Sequence, residues 1–166
     1  MKALVLSVGL WLMALNSASA QDLKIADVFR QMPDSIMPYL TENDRLDFID
    51  FLDSNMKAEV KNRLGGTSEM TGLTSDSLSI RMSESSRIDM FLMTLDEPID
   101  TITQVVAVIE TFMADSIYGQ STVRYYTPDW NRLSHQPPLN EAQENKIRVN
   151  SLQNILKRED DLLNKR

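Results

Sequence analysis

Residues 44–66, "DRLDFIDFLDSNMKAEVKNRLGG", decide the fold, because the spacing of apolar residues changes period inside them. Leu46, Ile49, Leu52 and Met56 fall on one stripe at the helical repeat. Thr41 stands ahead of them as an N-cap, with Asp44 three residues on in a capping-box arrangement, so the spacing predicts a helix over 42–55. From Met56 the rhythm becomes two. Ala58, Val60 and Leu64 alternate with Lys57, Glu59, Lys61 and Arg63, the pattern of a half-buried strand. Gly65-Gly66 then suits a hairpin turn, since both residues tolerate positive φ. A competing reading runs the helix on to Leu64 with Gly65 as its C-cap. The unbroken charged alternation favours the strand.

Upstream, Ile25, Val28, Phe29 and Met32 recur at helical spacing, so a short helix is expected over 22–32, ended by Pro33. Downstream the strand rhythm continues. Residues 67–72 form one candidate strand, and Leu78, Ile80 and Met82 alternate with Ser77, Ser79 and Arg81 in the next. After a polar "SESS" turn, Ile88, Met90 and Leu92 face the core with Asp89 on the other side. "TITQVVAVIETF" (101–112) is β-branched and apolar on both faces, as a central strand requires, and "STVRYY" (121–126) closes the series. The expected fold is α+β, with two N-terminal helices packed on an antiparallel meander sheet of five or six strands and a loosely ordered C-terminal tail. The α+β domain is expected over 21–134. Residues 135–166 read as a Pro-containing linker and a short helix carrying Leu152, Ile155, Leu156, Leu162 and Leu163.

Residues 1–20 have the features of a secretory signal: Lys2 in the n-region, an apolar run from Ala3 to Leu15, and Ala18-Ser19-Ala20 before Gln21. The run is shorter than the roughly 20 residues a membrane span needs. An exported protein, periplasmic or extracellular, with no membrane span after cleavage is therefore expected. The chain carries a net charge of −7, which disfavours nucleic acid and anionic lipid as partners. It contains no cysteine, which removes thiol catalysis, thiolate metal sites and disulfides together.

Catalytic groups are sparse. Asp44, Asp47, Asp50 and Asp53 repeat every third residue, but each step on a helix rotates the side chain by about 60°, so they fan out instead of converging on an ion. Glu110 stands among apolar neighbours on the candidate central strand, where burial could make it a general acid or base. His135 is the only histidine and sits in a Pro-rich loop with no third group to orient it. No nucleophile elbow, phosphate loop, zinc signature or dinucleotide fingerprint occurs. No catalytic residue, metal or cofactor is assigned.

The aromatic stretch "VRYYTPDWNRL" (123–133) offers the best binding candidates. Adjacent strand residues point to opposite faces, so Tyr125 sides with Val123 toward the core and Tyr126 with Arg124, stacked on it. Thr127-Pro128-Asp129 suits a turn that folds Trp130 back over the sheet end. A strand terminus with a packing tryptophan is the favoured reading; a site here would pair Trp130 with only one tyrosine. Phe51 lies on the polar face of the second helix, either covered by another segment or free for a partner. Tyr126, Trp130, Phe51 and Arg124 are the candidate binding residues.

"MPDSIMPYLTENDRLDFIDFLDSNMKAEVKNRLGG" (32–66), with "LTSDSLSIRMSESSRIDMFL" and "RYYTPDWNRL", resembles a domain family of unknown function found in small secreted proteins of gut-associated bacteria. The resemblance covers about residues 22–133 and implies an exported single domain without transferring a catalytic residue. A non-enzymatic binding or assembly module of the cell envelope is the expected function, with a protein partner or a small apolar ligand. Two alternatives stand beside it: an envelope carrier or chaperone sheltering an apolar ligand, and a hydrolase using Glu110, Tyr126 and His135.

Overall fold

A computed structural model describes residues 23–113 and 119–151. The stretch at 44–66 is helix, then strand. Helix α2 (Glu42–Asp53) opens on a complete capping box between Thr41 and Asp44. It ends in a Schellman motif: Asn55 adopts φ 56°, its N–H bonds the Leu52 carbonyl, and Met56 N–H bonds the Phe51 carbonyl at 2.8 Å. That turn throws Met56 into solvent, 52 % exposed, instead of extending the apolar stripe. The chain then enters strand β1 (Glu59–Lys61), with Ala58 and Val60 buried as expected.

Two inward positions differ from the expectation. Leu64 is exposed and Asn62 is buried. Asn62 Oδ1 accepts from the Leu64 and Gly66 amides, while Nδ2 donates to Ser68 Oγ and the Met82 carbonyl. An amide does here what a leucine cannot, because the turn leaves backbone groups needing partners inside the sheet end. On α2 the buried face is Arg45, Phe48 and Ile49, with Leu46, Phe51 and Leu52 at its margins. The guanidinium of Arg45 donates to the carbonyls of Met32 (2.5 Å) and Leu40 (3.2 Å) and to Asp34 (2.9 Å), which holds the loop between the helices onto α2.

Helix α1 (Ile25–Arg30) precedes α2, and five further strands follow β1: β2 (Thr67–Leu73), β3 (Ser77–Ser83), β4 (Ser86–Ile99), β5 (Ile102–Met113) and β6 (Gly119–Tyr126). All neighbours are antiparallel in the order β1-β2-β3-β4-β5-β6, the expected meander with six strands. In β4 residues 88–93 are buried without a break, as are 105–109 in β5, so the two long strands are covered on both faces.

Each face has its own core. On one, Ile25, Val28, Phe29, Phe48 and Ile49 of the helices pack on Ile80, Met90, Leu92, Val106 and Val108 of the sheet. On the other, Phe91, Met93, Leu95, Val105, Ala107 and Ile109 meet Ile147, with Val123, Tyr125, Leu133 and Leu139 at the edge. Ile147 belongs to a third helix, 141–151, so the helices packed on the sheet are not all N-terminal, and the segment expected from 135 as linker becomes helix ahead of Leu152. That helix starts with a reciprocal cap: the Gln143 amide donates to Asn140 Oδ1 (2.9 Å) and the Asn140 amide to Gln143 Oε1 (3.1 Å). It is tied down by Gln143 Nε2 to the Thr94 carbonyl (2.7 Å) and by Lys146 to Asp76 (2.7 Å). The signal-like segment and the apolar positions from Leu152 onward lie outside the described residues.

Candidate functional site

Strand β6 ends the sheet, and the chain beyond it turns back along its outer edge. Tyr126 forms an antiparallel bridge with Arg132. The Thr127 amide donates to the Asn131 carbonyl and the Leu133 amide to the Tyr125 carbonyl, both at 2.9 Å. The turn is closed by the Trp130 amide on the Thr127 carbonyl, with Trp130 at φ 65°. That left-handed conformation is unfavourable for a bulky residue and is held by burial of the indole. After Leu133 the chain leaves the edge, and Pro137 and Pro138, lacking N–H groups, cannot resume the pairing.

Between β6 and this returning segment lies a groove of about 890 Å³, within the range of ligand-sized sites. Val123, Tyr125, Leu133, Leu139 and Ile147 supply its apolar surface. Its polar rim carries Arg124, Arg132, Arg148 and His135, with Glu144 as the one carboxylate among the lining residues. Arg124 is paired with Glu110. Arg148 donates to the neutral side chain of Asn145 at 2.7 Å, and Arg132 makes no ion pair among the described residues. In an acidic chain this is a local cluster of positive charge. Burial raises the Tyr125 phenol above its ordinary pKa, and the nearby Glu144 carboxylate adds to the shift.

The expected binding residues are not brought together. Trp130 and Tyr126 do pair, with ring centroids 5.6 Å apart and planes at 56°, and both are buried in the helix-side core. The indole N–H donates to the Val28 carbonyl at 2.8 Å. Tyr126 therefore faces the principal core, and its partner is Trp130 instead of Arg124; the expectation failed because both sheet faces are covered. Phe51 is partly buried against the same core, away from the groove. Arg124 alone of the four lines the groove.

The hydrolase grouping is also dispersed. Glu110 shares the helix-side face of the sheet with Val108, whereas His135 lines the groove on the far side of β6. Among the described residues no group of three or more His, Asp or Glu side chains could hold a metal. Asp89, unlike Glu110, is fully enclosed, on the groove-side sheet face, and accepts from Ser79 Oγ at 2.5 Å and Arg87 Nε at 3.1 Å. The groove residues Arg132, Leu139, Ile147 and Arg148 escaped sequence reasoning. The signal that could have found them is the Asn140–Gln143 cap with Ile147 one helical turn beyond.

A family model described as a protein of unknown function, DUF3256, matches residues 15–157, and the chain belongs to that family. The match continues past residue 133 and includes the returning segment and the third helix. A solved structure, a domain of an uncharacterized protein from Porphyromonas gingivalis W83, is similar at TM-score 0.54 and 20 % identity, over 75 % of this chain and 67 % of that one. At that identity the likeness concerns the fold. No curated protein matches the chain. Among the described residues no helix is long and apolar enough to cross a membrane.

Proposed function

We propose that this member of a family of unknown function is an exported, non-enzymatic binding module of the cell envelope, and that the groove beside β6 is its binding surface. The observation that carries the reading is the combination of an apolar floor with two exposed arginines, Arg132 and Arg148, that form no ion pair among the described residues. Ligand sites have this composition: apolar area supplies affinity and a few fixed polar groups supply orientation. The dispersal of Glu110, Tyr126 and His135 favours binding over hydrolysis. The signal-like residues 1–20 support export, and protein recovered from cells is expected to begin at Gln21.

The test is recovery of partners from an envelope fraction on the immobilised protein. The Arg132→Glu/Arg148→Glu variant is expected to lose a partner that the parent and an Asp50→Lys control retain. Equal recovery by all three would remove the groove from the account.

A further inference from the structure

The geometry points to an extended acidic peptide as the ligand of this groove, added as a strand along the open edge of β6; this rests on the groove being the binding surface. In an antiparallel strand both backbone groups of one residue point to the same side. The Tyr125 carbonyl and the Thr127 amide point outward, since both bond the returning segment. Ser121 and Val123 have the same parity, so their N–H and C=O groups also point outward, and both residues line the groove. Among the described residues no strand pairs with β6 on that side beyond the single bridge at Tyr126.

An open edge is a template for a further strand, and a sheet normally blunts it. The opposite edge, β1, is three residues long and flanked by charges that pair with one another, Lys57 with Glu59 and Glu69. On β6 the returning chain begins the pairing and then departs, leaving the next two outward positions, Val123 and Ser121, in line with the bridge. A peptide laid there takes backbone bonds from both, as in strand addition to an exposed sheet edge. Its alternate side chains meet different surroundings. One set faces Val123, Leu139 and Ile147. The other set carries the carboxylates and points to the opposite face, which Arg132 shares with Tyr126 by register. Charge complementarity selects acidic over basic sequences, because the rest of the chain is negative and the groove rim is not.

The probe is a short peptide alternating Glu and Val, titrated against the full chain by calorimetry. Saturable binding is expected, abolished when Glu is replaced by Lys and when the peptide backbone is N-methylated. Arg132→Glu is expected to weaken binding about tenfold, an ordinary loss for reversing one partly exposed contact. Equal binding of glutarate, which has carboxylates and no peptide backbone, would overturn strand addition and leave an anion site in the groove. No binding of the peptide, with the charge-reversed variant still losing its envelope partner, would overturn the peptide ligand and leave the groove standing. Failure of both experiments would overturn both.

Discussion

The indole N–H of Trp130 donates to the backbone carbonyl of Val28 across 102 residues of sequence, at 2.8 Å. This contact links the turn after the last strand to the first helix, within the core that joins the helices to the sheet. Trp130→Ala is expected to cost about 3–5 kcal/mol through the cavity it leaves. Trp130→Phe keeps most of the bulk and costs about 1–2 kcal/mol, since Val28 still accepts from the Gln31 amide. Urea unfolding of the two variants against the parent measures both.

Arg45 is 2 % exposed and organises the loop between the helices. Its replacement by Met leaves the Met32 and Leu40 carbonyls without this donor and is expected to destabilise the protein by about 3 kcal/mol. Lysine is no substitute, because one ammonium cannot reproduce the planar spread of donors to three acceptors.

The same contact carries a pH dependence. The hydrogen bond from Arg45 holds the Asp34 carboxyl below its usual pKa, against an opposing effect of burial, with the positive charges of Arg45 and Arg63 assisting. A depressed carboxylate pKa stabilises the fold above the unfolded value, near about 4, and the contribution is lost as the pH falls through the folded value. The urea midpoint is therefore expected to drop on acidification through that window, and to drop less in Asp34→Asn. An unchanged slope in the variant would contradict this assignment.

Tyr125 gives the opposite limb. Its raised pKa means stability present below about 10 and lost as the pH climbs through the folded value. Glu144→Gln is expected to bring the Tyr125 transition down toward the ordinary tyrosine value. Ultraviolet titration, compared with Tyr125→Phe to identify the transition, reads the change.

The helix-to-strand switch and the six-strand meander were legible in the sequence because period alone carries them. Ala58, Val60, Leu78, Ile80 and Met82 all point as their alternation requires. Inward polar residues were not legible. Arg45 and Asn62 are buried because backbone carbonyls and turn amides need donors and acceptors there, and those needs exist only once the loops are in place. The second core was missed for a related reason. Val123, Tyr125 and Leu133 look like ordinary strand-end residues until the Asn140–Gln143 cap launches a helix that brings Ile147 over them. The aromatic stretch was read correctly as a strand terminus whose turn folds a packing tryptophan back onto the core, while the open groove formed on the other face of that strand.

The central claim is that the groove beside β6 contacts a partner, and the most direct measurement is site-specific photo-cross-linking in cells. A benzoyl-phenylalanine placed at Leu139, partly buried in the groove wall, is compared with one at Asp50 on the exposed face of α2. The expected result is a discrete adduct from Leu139 and none from Asp50, with the Leu139 adduct lost in the Arg132→Glu/Arg148→Glu background. The same adducts from both positions, or no adduct from Leu139, would contradict the account.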